Sequence, residues 1–208
     1  MKVLNLYAGI GGNRKLWTDV EVTAVEYDPK IAAIYKDFFP EDDVIVTDAH
    51  QFLLENFENY DFIWSSPPCP SHSHIRKELG VGSGQNKPIY PDMKLYEEIL
   101  LLKHYFKGRY CVENVRSFYE PLIRPSEFAS HYFWHNFYIA LIDGTSRNHH
   151  SSIDGLEERK GFDLSKYSGV DKRYMLRNCV EPEVGLHILN YARKQEDDFF
   201  KINSPKDL

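Results

Sequence analysis

Short β-branched runs alternate with stretches of helical spacing through the first third of the chain. Residues 3–7 predict a strand and residues 8–12 a glycine-rich loop opening a helix. A second strand follows at 22–26, and Pro29 at a helix start introduces 30–38. Residues 44–47 read as a third strand, 49–56 as a helix and 62–65 as a fourth strand. Such alternation predicts parallel strands joined by right-handed helical crossovers. Residues 66–91 interrupt the rhythm with five prolines and with Gly80, Gly82 and Gly84, a loop long enough to suggest a function. Helical spacing resumes at 92–106 through Leu95, Ile99, Leu102 and Phe106. Residues 110–115 predict a fifth strand and 137–142 a sixth, beginning at Tyr132 in the longer reading. The polar, weakly periodic stretch 143–177 reads as a small insertion or a mobile surface segment. A closing helix is expected at 184–192, with a frayed acidic tail after it.

Composition narrows the class without naming a chemistry. The 208 residues, 42% hydrophobic and 27% charged, fit one soluble domain with a sizeable core. No run of about 18 uncharged apolar residues occurs, so no membrane span is expected, and the first residues do not read as a signal peptide. Three separated cysteines predict neither a disulfide framework nor a metal site, and they suit a reducing, cytoplasmic setting. A net charge of -6 does not advertise nucleic-acid binding. Local basic groups exist nonetheless: Arg76 with Lys77, Lys103 with Lys107 and Arg109, and Arg173 with Arg177. Each of these alone reads as solvated charge.

Three features carry candidate chemistry. Cys69, in Ser66-Pro67-Pro68-Cys69-Pro70, follows the fourth strand, and ligands gather at the carboxyl ends of strands in an open α/β sheet. A thiolate is the reactive form, so such a site should lower the thiol pKa or remove its proton during attack. An isolated cysteine there would read as a small buried residue. Glu113-Asn114-Val115 ends the fifth strand, which as a neighbour of the fourth would bring a carboxyl group beside the thiol for acid/base work. Alone, it is an ordinary acid at a strand end. Tyr7 to Gly12 lets backbone approach a ligand, and Glu26, ending the second strand, stands where a ribose is held. The glycine spacing departs from the dinucleotide fingerprint and disfavours a nicotinamide cofactor.

In this order the three features resemble the cytosine-C5 DNA methyltransferase family. Leu6-Tyr7-Ala8-Gly9-Ile10-Gly11-Gly12 is similar to the family's cofactor loop, and Pro67-Pro68-Cys69 with Ser73 to its catalytic run. Glu113-Asn114-Val115 matches its Glu-Asn-Val signature, and Asn178-Cys179-Val180 with Pro182 and Val184 resembles its last motif. The resemblance implies a Rossmann-like S-adenosylmethionine-dependent methyltransferase fold, α/β, with a mostly parallel central sheet and helices on both faces. It implies S-adenosyl-L-methionine as cofactor, held by Tyr7, Ala8, Gly9, Gly11, Gly12, Glu26, Tyr27, Asp48, Pro67, Asn178 and Val180. Cys69 would be the nucleophile on C6 of a cytosine and Glu113 the proton donor to N3. Pro70 stands where the family usually has Gln, and His72 replaces the common Phe. The Gln-x-Arg-x-Arg motif, whose arginine contacts cytosine O2, is not recognisable; Arg147 is the better placed candidate and Arg124 the other.

The resemblance further implies a single catalytic domain over 1–208, with 143–177 in place of a large recognition region. Short chains with this motif set are familiar from bacteriophages and prophages, which would place the protein in a bacterial cytoplasm. The partner would be DNA, its target cytosine flipped from the duplex. So small a recognition surface, with Arg76, Lys77, Gln85, Asn86, Arg147 and Asn148 as base readers and Lys87, Lys172 and Arg173 on phosphates, favours a site of about two to four base pairs. Two alternatives stay open: an RNA cytosine-C5 methyltransferase, whose Cys-Phe-Thr signature is absent, and a non-catalytic DNA-binding protein with the same fold. His72, His74, His149 and His150 lack acid or thiol partners at ligand spacing, so no metal is expected.

Overall fold

A computed structural model describes residues 1–74, 76–142 and 152–202. Its strands are β1 (Lys2–Leu6), β2 (Glu21–Glu26), β3 (Asp43–Val46), β4 (Phe62–Ser65), β5 (Arg109–Val115), β6 (Ser126–Phe128) and β7 (His131–His135). Helices α1 (Pro29–Phe38), α2 (Ala49–Asn56), α3 (Lys94–Tyr105), α4 (Ile153–Lys160), α5 (Lys172–Asn178) and α6 (Pro182–Ile202) accompany them. The seven strands form one sheet in the order β3-β2-β1-β4-β5-β7-β6. Strands β1 to β5 pair in parallel, while β7 runs antiparallel to both β5 and β6. This is the expected α/β class with a mostly parallel sheet.

Side-chain alternation along the strands sorts the core onto two faces. Val3, Phe62 and Trp64 point to one face and pack with Val184, Ile188 and Leu189 of α6. Leu4, Leu6 and Ile63 point to the other and pack with Leu53 of α2 and Leu95, Ile99 and Leu102 of α3. A third cluster joins Ala24 of β2 to Ile34 and Tyr35 of α1, and to Leu156, Phe162, Leu164, Met175 and Leu176. The described part of the 143–177 stretch holds α4 and most of α5, joined by turns, and contributes buried side chains. Its apolar residues are spaced too widely to read as an amphipathic run. Among the described residues no helix is long and apolar enough to cross a membrane.

Four sequence expectations need correction. No helix follows the glycine-rich loop; the chain makes turns as far as Leu16. Positive φ at Tyr7, Gly9 and Gly11 breaks helical continuity. Arg14 then ties the turns down with two bonds to Asp42, of 2.8 and 2.9 Å. Residues 137–142 form no strand, because Asn136 takes over the ladder: its side chain accepts from the Tyr110 amide at 3.0 Å and donates to the Gly108 carbonyl at 2.8 Å. Phe137 and Ile139 are buried in the core beyond that point. The long proline-containing loop includes one π-helical turn, Arg76–Val81. Finally, α6 runs on to Ile202, ten residues past the expected end at residue 192.

Candidate active site

The chain leaves β1 toward β2 and β3, then returns to β4 on the other side of β1. The carboxyl ends of β1 and β4 thus flank a topological switch point, where open α/β sheets bind ligands. A cleft of about 500 Å³ opens there, lined by the loop after β1, the ends of β2 and β5, the loop after β4, and the segment from Tyr174 to Val180.

On the β1–β2 side, Glu26 laces the loop to the sheet. One carboxylate oxygen accepts the Gly9 amide and the other the Asp28 amide, each at 2.9 Å. Each oxygen keeps lone pairs for a further donor. Tyr27 leaves its ring 75% exposed at the cleft. Asp48 caps α2 by accepting from the Gln51 amide at 2.9 Å, and that bond is the main cause holding its carboxyl below the usual range. Tyr7, held at φ 55°, donates its hydroxyl to Glu98 at 2.5 Å. Glu98, fully buried on α3, also accepts from Ser65 at 2.6 Å and lies 3.0 Å from Nδ1 of His50. One buried carboxylate therefore ties the cofactor-side loop, α2 and the end of β4 together. Burial, reinforced by Glu98, pushes the Tyr7 hydroxyl pKa up. A Cβ at Gly12 would lie 2.6 Å from the Val180 carbonyl, so only glycine lets this loop touch the closing segment.

On the β4–β5 side, the cysteine loop is clamped at both ends. The Asn114 side chain donates to the Pro67 carbonyl at 2.9 Å, and Ser73 bridges to Ser117. Between these clamps the amides of His72 and Ser73 both turn back to the Cys69 carbonyl. Cys69 is half-buried and Glu113 is 7% exposed. Burial first, and the charge of Glu113 second, push the Cys69 thiol up to about 11. The resting site does not lower this pKa, so any reaction of the thiolate would first require loss of the thiol proton. His131 on β7 brings Nε2 to 3.3 Å from Glu113 Oε1.

The cleft gathers Cys69, Glu113, Tyr7, Ala8, Gly9, Gly12, Glu26, Tyr27, Asp48, Pro67, Asn178 and Val180. Gly11 faces the core instead, since a Cβ there would meet the Phe39 ring at 2.3 Å. Arg124 is exposed and lies outside the lining; Arg147, Asn148, His149 and His150 lie outside the described residues. Among the proposed DNA contacts, Lys77 sits 5.0 Å over the Phe118 ring and Lys172 donates to the Ser165 carbonyl at 3.3 Å. His72 is buried against the Tyr119 hydroxyl at 2.5 Å. Among the described residues, no three His, Cys, Asp or Glu side chains are grouped to hold a metal. Sequence reasoning missed Glu98, Asn114 as a clamp, and His131. An acid at an inward position of α3 was the available signal for Glu98; His131 had none short of strand register.

Comparison with known proteins agrees with this arrangement. The family model for the C-5 cytosine-specific DNA methylase matches residues 1–121. No curated protein matches the chain. Solved structures similar to it include a Spodoptera frugiperda DNMT2 mutant, 30% identical over 56% of this chain and 36% of that one, with a TM-score of 0.39. An Agrobacterium tumefaciens SAM-dependent methyltransferase is 16% identical over 57% of this chain and 40% of that one, with a TM-score of 0.39. A hypothetical protein of Thermus thermophilus is 18% identical over 64% of this chain and 73% of that one, with a TM-score of 0.43. The chain thus spans well under half the length of the first two. With its family model matching more than half of the sequence, on the residues that build both sides of the cleft, the chain belongs to the C-5 cytosine-specific DNA methylase family, whose methyl donor is S-adenosylmethionine.

Proposed function

We propose that the protein methylates C5 of cytosine in DNA through a covalent bond between Cys69 and C6 of the base. The observation that carries this reading is the convergence of Cys69, Glu113 and the Glu26-laced loop on one cleft. The cleft suits the cofactor chemically. Its volume is in the range of small-molecule sites, and its lining carries the acids Glu26, Asp48, Asp92 and Glu113 against only Lys94 and Arg177. That balance favours a cationic sulfonium over a polyphosphate. Glu26 would accept from the ribose hydroxyls, Tyr27 would stack on the adenine, and Asp48 would accept from its amino group. Tyr7 to Ile10 and Gly12, with Pro67, Asn178 and Val180, would enclose the rest. When bound, the cofactor supplies an electrophilic methyl group.

The protein's own residues do the remaining work. The Cys69 thiol gives up its proton to solvent as the base enters, and the thiolate forms the S–C6 bond. The displaced ring electrons move to N3, which takes the proton held by Glu113. C5 then has the electron density to accept the methyl group. Release of the C5 proton to solvent and elimination of Cys69, with return of the N3 proton to Glu113 and of a proton from solvent to the thiolate, give aromatic 5-methylcytosine and free enzyme. Asn114 and the Ser73–Ser117 bridge hold the thiol in register with Glu113 during these steps. In a duplex the target base must first leave the stack.

Sequencing of methylated cytosines in both DNA and RNA, from cells expressing the wild type or Cys69→Ala, tests substrate and chemistry together. The expected result is 5-methylcytosine in DNA, lost in the variant. Methylation confined to RNA, or retained in Cys69→Ala, would contradict the proposal.

A further inference from the structure

His131 and Glu113 reach each other through strand register. In the antiparallel β5–β7 pair, Val115 stands opposite His131 and Glu113 opposite Phe133. Residues 113 and 115 share one face of β5, so His131 is the diagonal neighbour of Glu113 on that face, within reach of a long side chain. Both line the cleft. The other ring nitrogen, Nδ1, lies 3.1 Å from the Ala129 carbonyl. A carbonyl oxygen only accepts, so Nδ1 carries a hydrogen. In the neutral ring, Nε2 therefore carries the lone pair, and it lies 3.3 Å from Glu113 Oε1. The contact is favourable only when one of the two groups is protonated, as an imidazolium beside a carboxylate or a carboxylic acid beside a neutral imidazole. Other titratable groups nearby are the thiols of Cys69 and Cys111, both of which feel the charge of Glu113. Arg116 and Glu127 neutralise each other on the adjoining surface, 2.5 Å apart.

We propose that His131 is a positioning residue that shares one proton with Glu113 and so keeps a donor available to N3 of the base at neutral pH. This rests on the reading of Glu113 as the proton donor. Two interacting groups that hold one proton between them titrate as a pair and not as separate groups. The fixed Nδ1–H removes the other ring orientation, so the shared proton stays on the side of the cleft.

The test needs no substrate. NMR titration of the His131 ring is compared between wild-type protein and Glu113→Gln, which keeps the shape of the side chain and removes its charge. The midpoint should fall by about one pH unit or more in the variant, because an adjacent carboxylate favours the imidazolium. A midpoint unchanged by Glu113→Gln would overturn the pairing. In turnover, His131→Gln should shift the alkaline limb of the kcat profile to lower pH by about one unit, with KM for S-adenosylmethionine unchanged. A wild-type profile in His131→Gln would overturn the proton-holding role. Wild-type protein that methylates no cytosine would overturn the functional reading instead, and would leave the NMR result as the measure of the pair.

Discussion

The thiol of Cys69 is under two influences that act in the same direction: burial, and the negative charge of Glu113. Together they push its pKa up to about 11, so at neutral pH it is a thiol and not a thiolate. In the proposed mechanism such a site stays unreactive until the target base enters and the thiol gives up its proton. Glu113→Gln removes one of the two causes. Alkylation of Cys69 by iodoacetamide at pH 9 should then run severalfold faster, while methyl transfer falls for lack of the donor. Mass spectrometry that follows each cysteine separately checks this, with Cys179, whose thiol is not under the influence of Glu113, as the internal reference. An alkylation rate unchanged or lowered in the variant would contradict the charge coupling. Cys69 and Glu113 were legible in the sequence because each sits in a short motif at the end of a recognisable strand. The raised pKa was not, since burial is a property of the folded loop. Nor was His131, whose approach to Glu113 depends on the register of an antiparallel pair that no spacing announces.

At the scale of elements, the ends of β2 and β5 join in the cleft with three segments far apart in the chain: the loop after β1, the loop after β4, and α5 with the turn that follows it. The first and last touch at Gly12, which has no room for a methyl group against Val180. Lys160, buried on α4, donates to the Cys179 carbonyl at 2.6 Å and holds the closing turn from behind. Gly12→Ala should therefore push the two segments apart, weakening S-adenosylmethionine binding about tenfold or more, or about 1.4 kcal/mol. Calorimetric titration reads this directly, and wild-type affinity would contradict the enclosing role. The parallel strands were legible because their apolar runs are short, β-branched and bounded by turns. Residues 137–142 misled because an apolar run predicts burial, which Phe137 and Ile139 have, but not ladder pairing, which the Asn136 side chain ends. The helices α4 and α5 were hidden by their polarity. Their core contacts are a few isolated residues, such as Leu156 and Met175, that only the fold brings together.

For the molecule as a whole, the family match over 1–121 covers β1 to β5, and with them both Cys69 and Glu113. The later residues complete the cleft: β7 supplies His131, the end of α5 supplies Asn178, and the turn after it supplies Val180. The chemistry proposed for this cleft is covalent attack by Cys69 on a cytosine in DNA. DNA carrying 5-fluorocytosine tests it most directly, because fluorine at C5 replaces the proton whose loss ends the reaction and so stops the cycle at the protein–DNA adduct. Incubation with S-adenosylmethionine, a denaturing gel and peptide mass mapping should yield an adduct attached at Cys69. It should be absent in Cys69→Ala and weaker or missing with RNA of the same sequence. An adduct that persists in Cys69→Ala, or wild-type protein that methylates ordinary cytosine yet forms none, would contradict the account.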